Sequence, residues 1–347
     1  MPIPPMSSRE RVAAAVAFAG PDRVPFQHFV FPGAFWRHGQ ALVDLLNTHP
    51  DDFECRRFAM APPPSRPLIG EHRDEWGSVW RQRSDYTVGE VIRPALASWD
   101  AWPSYVFPPP PAADVYEEMK TRWSNPGHAG YRLAACGNLF ERMQWLRGTE
   151  NLLVDIAEDR QELHELAERL VERGLDHVHE CLEAGADCCA FSDDWGAQDR
   201  LLMHPDRWRQ FFKPLYRRLF QPIRDAGRQV WFHTDGWTAD IWDDLIQVGV
   251  TVLNPQHAIM PRDLILDRLA GRVCVRSDLD RQGVLPFGTP EEVRAHVADT
   301  IALFGRFHGG LILHGEVGPD VPLANVRALL EAYRDLGPYP LRWLAAR

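Results

Sequence analysis

From about residue 130 onward, short apolar runs alternate with long amphipathic stretches along the chain. The short runs are rich in β-branched or small residues, which is typical of buried strands. Together with two earlier runs, they predict strands at residues 23–30, 78–80, 131–138, 187–192, 229–234, 250–254, 272–277 and 310–313. In the longer stretches the apolar positions recur at helical spacing, which predicts helices over residues 163–182, 205–226, 239–248, 290–304 and 322–336.

This alternation approaches eight βα units, which predicts an α/β fold with a single (β/α)8 TIM barrel domain over residues 1–347. A doubly wound sheet is the alternative, but the chain lacks the glycine-rich first turn typical of that fold. Between about residues 50 and 130 the pattern is interrupted by two proline clusters and several tryptophans. We therefore expect an irregular insertion in this stretch. Its tryptophans are expected to form core, with a lid over an apolar ligand as the alternative.

Composition and charge exclude several classes of protein. The 38 basic and 48 acidic residues leave a net charge of −10, which argues against a protein that binds nucleic acid through its phosphates. Six cysteines without a CxxC spacing favour a reduced, cytoplasmic chain over a disulfide framework. No apolar run approaches the roughly 18 residues of a membrane span. The short apolar run after Arg11 is expected to be an amphipathic helix rather than a signal peptide.

Polar residues follow several predicted strands, at the end where a barrel places its active site. His233 and Asp235 lie two residues apart, so an extended chain directs both side chains to one face. His314 and Glu316 repeat this spacing. Taken singly, such residues are often helix caps or hydrogen-bonded structural groups. Because four strand ends carry them, in stretches 192–198, 233–236, 276–280 and 314–316, we expect a shared functional pocket.

A second group of potential ligands has a simpler interpretation. His177 and Cys181 lie four residues apart and share one face of the predicted helix over 163–182. His179 lies off that face, and the neighbours Cys188 and Cys189 point in opposite directions from a strand. We therefore expect these cysteines to pack in the core rather than to bind a metal.

Six segments, spread in order over nearly the whole chain, resemble one known superfamily. They lie at residues 9–25, 74–77, 192–198, 253–255, 285–293 and 319–326. On these motifs the sequence resembles the uroporphyrinogen decarboxylase superfamily, and in particular its cobalamin-dependent methyltransferase-like members. The resemblance implies a (β/α)8 barrel, in agreement with the alternation of strands and helices.

The resemblance also implies a metal site. Methyltransferases of this superfamily bind zinc through a His-x-Cys-Gly motif and a later cysteine, and the metal activates an acceptor thiol. Here Asp235 replaces the cysteine of that motif, and the later cysteine falls between His314 and Glu316. Zinc accepts nitrogen and carboxylate ligands, so the implied ligands are His233, Asp235, and either His314 or Glu316. Oxygen in place of sulfur makes the ion harder, which suits an oxygen-bearing substrate.

Substrate recognition is expected to differ from that of true uroporphyrinogen decarboxylases. Those enzymes carry an arginine-rich segment after the first strand that grips substrate carboxylates. Here residues 31–39 contain Arg37 as their one permanently charged group. The later His314-Gly315 pair resembles a substrate-facing segment of the decarboxylases.

We therefore expect a cytoplasmic enzyme acting on a small molecule, with neither nucleic acid nor membrane as a partner. The favoured reaction is metal-assisted methyl transfer, with zinc as metal and a corrinoid carried by a partner protein. The alternatives are a metal-independent decarboxylase and a non-catalytic ligand-binding protein, and a homodimer is left open. The catalytic candidates are Asp193, Asp194, His233, Asp235 and His314. The substrate-binding candidates are Asp74, Trp76, Gln198, Asn254, Asp280 and Gln282, and the metal candidates are His233, Asp235, His314 and Glu316.

Overall fold

The computed structural model of the chain describes residues 5–53, 57–60, 69–83 and 89–346, so the first proline cluster, at residues 62–67, lies outside the described residues. The helices are α1 (Ser8–Val16), α2 (Pro32–His38), α3 (Gln40–Asn47), α4 (Ala113–Ser124), α5 (Phe140–Arg147), α6 (Thr149–Glu158), α7 (Gln161–Glu183), α8 (Pro205–Asp225), α9 (Trp242–Gln247), α10 (Arg262–Arg268), α11 (Val284–Phe287), α12 (Pro290–Phe304) and α13 (Leu323–Leu336). The strands are β1 (Phe26–Val30), β2 (Gly70–Arg73), β3 (Val79–Gln82), β4 (Glu90–Arg93), β5 (Leu133–Gly137), β6 (Cys188–Ser192), β7 (Gln229–Thr234), β8 (Val252–Pro255), β9 (Cys274–Arg276) and β10 (Leu311–Val317).

By its internal contacts the chain divides into two compact units. The first, here called the terminal unit, comprises residues 1–62, 125–133 and 250–347. The second, here called the central unit, comprises residues 63–124 and 134–249.

The terminal unit contains four parallel strands in the order β1-β10-β9-β8. Phe26 of β1 lies opposite Leu313 of β10. Every residue of β8 and β9 is buried, as expected for parallel strands that are covered on both faces. Helix α12 has the bounds that the sequence predicts, because Thr289 and Glu292 form a reciprocal capping box at its start.

The central unit contains β7, β6 and β5, in that order. Strands β6 and β7 are parallel, and their register runs from the pair Cys188–Gln229 to the pair Ser192–His233. The long helices α7 and α8 each bury one apolar face. Because Ser192 lies opposite His233, the loops that follow the two strands begin side by side.

The strand predicted at residues 78–80 forms as β3, but it does not join the parallel strands. It pairs antiparallel with β2 on one side and β4 on the other. Residues 74–78 alone connect β2 to β3, whereas parallel neighbours need a crossover of about a dozen residues or more. The prediction of a barrel strand at this position was wrong, because an apolar run carries no information about the direction of pairing.

The remaining predicted strands and helices are confirmed within a few residues, and with them the α/β class. The predicted helix over 239–248 is divided into a 3-10 turn, Ala239–Ile241, and α9. Among the described residues, no helix combines the length and the apolar character that crossing a membrane requires.

A buried ion-pair network holds the start of the terminal unit. Asp52 is completely buried, and it accepts hydrogen bonds from Arg11 at 2.7 Å, from Arg23 at 2.8 Å and from the backbone N–H of Phe26 at 3.0 Å. Arg11 also pairs with Asp22, at 2.5 Å. The network therefore ties α1 and the segment before β1 to the turn that contains Asp52.

We expect Arg11→Met to lower the free energy of unfolding by about 3–5 kcal/mol. The substitution removes one of the two arginines that neutralise the buried Asp52 carboxylate. Chemical denaturation followed by circular dichroism measures the change. Arg37→Met removes an exposed arginine of α2 and serves as the control, with an expected change within about 0.5 kcal/mol. Equal midpoints for the two variants would contradict a stabilising role for the network.

Candidate functional site

The ends of β6 and β7 bring three of the predicted site residues together in the central unit. The Nε2 atom of His233 lies 3.7 Å from Oδ1 of Asp194 and 3.6 Å from Oδ1 of Asp235. All three groups are partly exposed. The site therefore combines one imidazole and two carboxylates at a surface that solvent can reach.

Two glycines allow the loops after β6 and β7 to touch. Gly236 has φ +75°, and a Cβ on it would lie 2.1 Å from the carbonyl oxygen of Gly196. A Cβ on Gly196 would lie 2.3 Å from the backbone nitrogen of Trp237. Real Cβ atoms do not approach backbone so closely, so both positions need glycine. The backbones of the two motifs, Asp-Asp-Trp-Gly after β6 and His-Thr-Asp-Gly at the end of β7, are therefore in direct contact at their glycines.

Hydrogen bonds then fix the register of the two loops. The backbone N–H of Asp235 donates to Oδ1 of Asp194 at 2.9 Å, and the N–H of Gly196 donates to the carbonyl of Asp235 at 3.0 Å. The N–H of Trp195 donates to Oγ1 of Thr234 at 3.3 Å. The Trp195 ring is fully buried and stacks on Phe140 with ring centroids 4.0 Å apart. These hydrogen bonds and the buried Trp195 ring therefore fix the backbone that carries Asp194 and Asp235.

Asp193, predicted as catalytic, lies beneath this surface and is completely buried. Its carboxylate accepts hydrogen bonds from the backbone N–H groups of Leu139 at 3.0 Å and Glu141 at 2.8 Å, and from the Tyr216 hydroxyl at 2.5 Å. Burial raises the pKa of Asp193 to about 6, against the opposing effect of these donors. Its contacts place the start of α5 next to the end of β6.

Glu141 is a site residue that the sequence reasoning missed. Burial, together with the negative charges of Asp194 and Asp193, raises the pKa of its carboxyl to about 8. Asn138 donates to it at 3.3 Å. Because Glu141 follows the predicted strand at 131–138, the search of strand ends that selected Asp194 would have found it as well.

The donor set fits a divalent cation. Ligand atoms of Asp194, His233 and Asp235 all lie within 4.8 Å of one another. Bonds of about 2.0–2.2 Å to zinc in a tetrahedral arrangement place neighbouring ligand atoms about 3.3–3.6 Å apart, close to the distances observed here. A cation would also relieve the repulsion among the carboxylates that raises the pKa of Glu141. These residues could therefore hold a metal with an open coordination position.

The terminal unit contains the other metal candidates. His314 is completely buried, and its ring lies 5.6 Å from that of Phe29. Glu316 forms an ion pair with Arg281 at 2.8 Å, and the same arginine lies 3.7 Å from Asp278. The structure thus gives Glu316 a cationic partner within its own unit.

Three substrate-binding candidates also lie in the terminal unit. Asp280 and Gln282 line a cavity of about 290 Å³, together with Asp278 and Arg281. Asp280 accepts hydrogen bonds from the three backbone N–H groups of residues 282–284, so it holds the turn that leads into α11. Asn254 is completely buried and donates to the carbonyl of Arg276 at 3.1 Å.

The central unit contains the remaining candidates. Asp74 accepts hydrogen bonds from the backbone N–H of Ser78 and the indole N–H of Trp80, both at 2.8 Å, and so holds the turn before β3. Gln198 is exposed. Trp76 is buried, lies 4.4 Å from the guanidinium of Arg142, and lines a cavity of about 840 Å³.

His177 lines the same cavity, whereas Cys181, Cys188 and Cys189 are completely buried, as the sequence analysis expects. His177 and Cys181 share one face of α7, as predicted, with Cys181 Sγ 3.7 Å from His177 Nε2. Cys136 of β5 joins them, and all three ligand atoms lie within 4.8 Å of one another. Hydrogen bonding from Cys136 and from His177 lowers the pKa of the Cys181 thiol to about 6. Cys136 was missed because it is distant in sequence and lies within a strand.

Comparisons with known proteins agree with the predicted resemblance. The family model for uroporphyrinogen decarboxylase (URO-D) matches residues 140–336, more than half of the chain. A uroporphyrinogen decarboxylase of Thermus thermophilus is 31% identical over 178 residues, and that of Nostoc punctiforme is 25% identical over 181 residues. Each alignment covers 50% of this chain and 48% of the relative, so the matched stretch spans about half the length of these proteins.

The structural comparison covers more of the chain. The structure of a methyltransferase from Methanosarcina mazei superposes with a TM-score of 0.67 at 17% identity, and covers 95% of this chain and 99% of that one. This likeness shows the fold, which is the α/β barrel class that the alternation of strands and helices predicts. From the match to residues 140–336, this chain belongs to the uroporphyrinogen decarboxylase family.

Proposed function

We propose that the chain is a metal-assisted enzyme that transfers a methyl group between a small methoxylated substrate and the corrinoid of a partner protein. The observation that carries the proposal is the convergence of Asp194, His233 and Asp235 at the ends of two adjacent parallel strands. The fold shared with the methyltransferase from Methanosarcina mazei supports the same choice.

The donor chemistry supports an oxygen-bearing substrate. One nitrogen and two carboxylate oxygens make a harder ligand set than the nitrogen and two sulfurs that the resemblance implies for thiol-activating relatives. A divalent cation in such a site supplies electrophilic polarisation of a substrate oxygen. In this proposal Asp235, which takes the position of the motif's cysteine, distinguishes this chain from the relatives that activate a thiol.

The proposed roles of the protein groups follow from their positions. His233 and Asp235 hold the cation, and Asp194 both completes the set and fixes the Asp235 backbone through its 2.9 Å hydrogen bond. When a methyl group leaves an oxygen for the corrinoid, the C–O electron pair stays on the oxygen, which must take up a proton. Burial is the largest cause of the raised pKa of Glu141 and does not depend on the cation, so this carboxyl is the proposed proton donor.

Decarboxylation is the second candidate, and one observation favours it. A metal-independent decarboxylase must place a proton where carbon dioxide leaves, and the raised pKa of Glu141 makes this carboxyl a proton donor near pH 7. The relatives from Thermus and Nostoc are named uroporphyrinogen decarboxylases. The two candidates differ in whether the reaction needs a metal.

Metal binding at the strand ends is tested with Mn²⁺, which prefers oxygen and nitrogen donors to thiolates. We expect the chelator-treated protein to bind one Mn²⁺, detected by electron paramagnetic resonance of the free ion. His233→Ala and Asp235→Asn should weaken binding by at least about tenfold. His179→Ala removes an exposed histidine of α7 and should bind as the unaltered chain does. Equal affinity in all four proteins would exclude the proposed ligands.

The reaction is tested with a corrinoid protein and a panel of methoxylated compounds. We expect a change in corrinoid absorbance together with a demethylated product identified by mass spectrometry. Both should be lost with chelator and in Asp235→Asn, because the substrate oxygen is no longer polarised. If the protein instead releases carbon dioxide from carboxylated substrates in the presence of chelator, decarboxylation replaces methyl transfer.

The protonation of Glu141 predicts a pH-dependent stability difference in the metal-free protein. The folded wild type keeps this proton up to about pH 8, while the unfolded chain loses it near 4.5, so the wild type loses stability as pH rises through that window. Glu141→Gln titrates in neither state. The difference in free energy of unfolding between Glu141→Gln and the wild type, obtained from thermal denaturation, should therefore grow in favour of the variant by more than about 1 kcal/mol from pH 4.5 to pH 8.

Glu158→Gln provides the matched control, since Glu158 is an exposed residue of α6. Its midpoint should follow that of the wild type at every pH. A Glu141→Gln difference that stays flat from pH 5 to pH 8 would contradict the raised pKa.

A further inference from the structure

A cavity of about 840 Å³ lies within the central unit, and neither Asp194 nor His233 is among the described residues that line it. Its wall includes Trp76 and Phe107, the end of β5, and the face of α7 that carries His177. Cys136 and His177 both line it, and Cys181 lies directly behind them at 0% exposure. The cavity therefore opens onto an imidazole and one thiol, with a second thiol buried beside them, and the proposed methyl transfer uses none of the three.

We propose that Cys136, His177 and Cys181 form a second metal site, which binds a thiophilic cation such as Zn²⁺. Their three ligand atoms lie within 4.8 Å of one another, with 3.7 Å between Cys181 Sγ and His177 Nε2. Zn–S bonds of about 2.3 Å and Zn–N bonds of about 2.0–2.1 Å separate neighbouring ligands by about 3.5–3.8 Å. The cluster therefore needs only small side-chain adjustments to close around one ion.

The backbone supplies this arrangement from two rigid elements. His177 and Cys181 are four residues apart on α7, a helix of 23 residues, so their side chains lie on one face. Cys136 projects from β5. Because both elements belong to the packed central unit, the ligands are held in place before a metal arrives.

Tyr116 provides the supporting contact that metal-bound histidines usually have. Its hydroxyl lies 2.7 Å from Nδ1 of His177. Nε2 of the same ring lies 2.9 Å from the carbonyl of Ala135, an exposed residue. When Nε2 binds a metal, its proton is lost and Nδ1–H donates to the Tyr116 hydroxyl, while the Ala135 carbonyl is free to bind water. Because Nε2 is directed at the Ala135 carbonyl in the structure, the ring must turn Nε2 toward the two sulfurs when a metal binds.

The ligand chemistry separates this site from the one at the strand ends. Two thiolates and one imidazole select zinc or copper(I) over manganese or magnesium, whereas Asp194, His233 and Asp235 offer mostly oxygen. Both cysteines bind a metal as thiolates, so binding competes with protons and is favoured at higher pH. Three protein ligands leave a fourth position, which a water or a molecule in the cavity can fill.

The test is a Co²⁺ titration of the full chain, reduced and freed of metal with a chelator. Cobalt bound to thiolates gives an intense near-ultraviolet charge-transfer band that oxygen and nitrogen ligands do not give. We expect one equivalent of this band in the wild type and in His233→Ala, and its loss on addition of Zn²⁺. Cys136→Ser should abolish the band, and His177→Gln should weaken cobalt binding at least tenfold.

Two controls match these changes. His179→Gln alters an exposed histidine of α7, and Cys274→Ser alters a buried thiol of the terminal unit, so both should keep the band. Circular dichroism establishes that each variant is folded, and Cys181→Ser replaces Cys136→Ser if the latter is not. A wild type with titratable thiols but no band would overturn the proposal, as would a band that survives in folded Cys136→Ser or disappears in His233→Ala. Because His233→Ala disables the strand-end site alone, failure of one proposal is distinguishable from failure of the other.

Discussion

The close approach of the Gly196 and Gly236 backbones is the constraint on which the candidate site depends. Parallel pairing of β6 and β7 starts the two loops side by side, and the absence of a Cβ at either glycine lets them touch. The hydrogen bonds of Asp235 then lock one loop to the other. A side chain at either glycine would push the loops apart and separate the carboxylates from His233. The chemistry of the site is thus set by backbone packing before any ligand is bound.

Charge is concentrated at this point of the fold, and burial decides what each carboxyl does. Asp193 is completely buried, yet two backbone N–H groups and the Tyr216 hydroxyl compensate its charge. Asp194 and Asp235 remain partly exposed beside His233. Burial and the negative charges of Asp194 and Asp193 raise the pKa of Glu141 to about 8, against the opposing effect of its hydrogen bond from Asn138. Differences in burial and in hydrogen bonding thus give neighbouring carboxyl groups different roles: one is structural, two are suited to bind a metal, and one holds a proton.

The central unit carries two donor sets of opposite chemical character. Carboxylates and imidazole gather at the ends of β6 and β7, whereas thiols and imidazole gather between β5 and α7. The first set favours hard divalent ions and oxygen substrates, and the second favours thiophilic ions. Each set forms where a strand packs against a neighbouring element: His233 of β7 lies beside the loop after β6, and Cys136 of β5 lies beside α7.

The sequence by itself determined the strands and helices, the family and the residues at the strand ends, because these depend on local patterns. Helix α12 illustrates this, since the two residues of its capping box lie within one short stretch of the chain. The pairing direction of β3, the proximity of Glu141 to Asp194 and the meeting of Cys136 with His177 were decided only by the tertiary structure. Each of these depends on which distant segments of the chain become neighbours. That arrangement is selected by the burial of apolar side chains from all parts of the chain, which no local pattern reports.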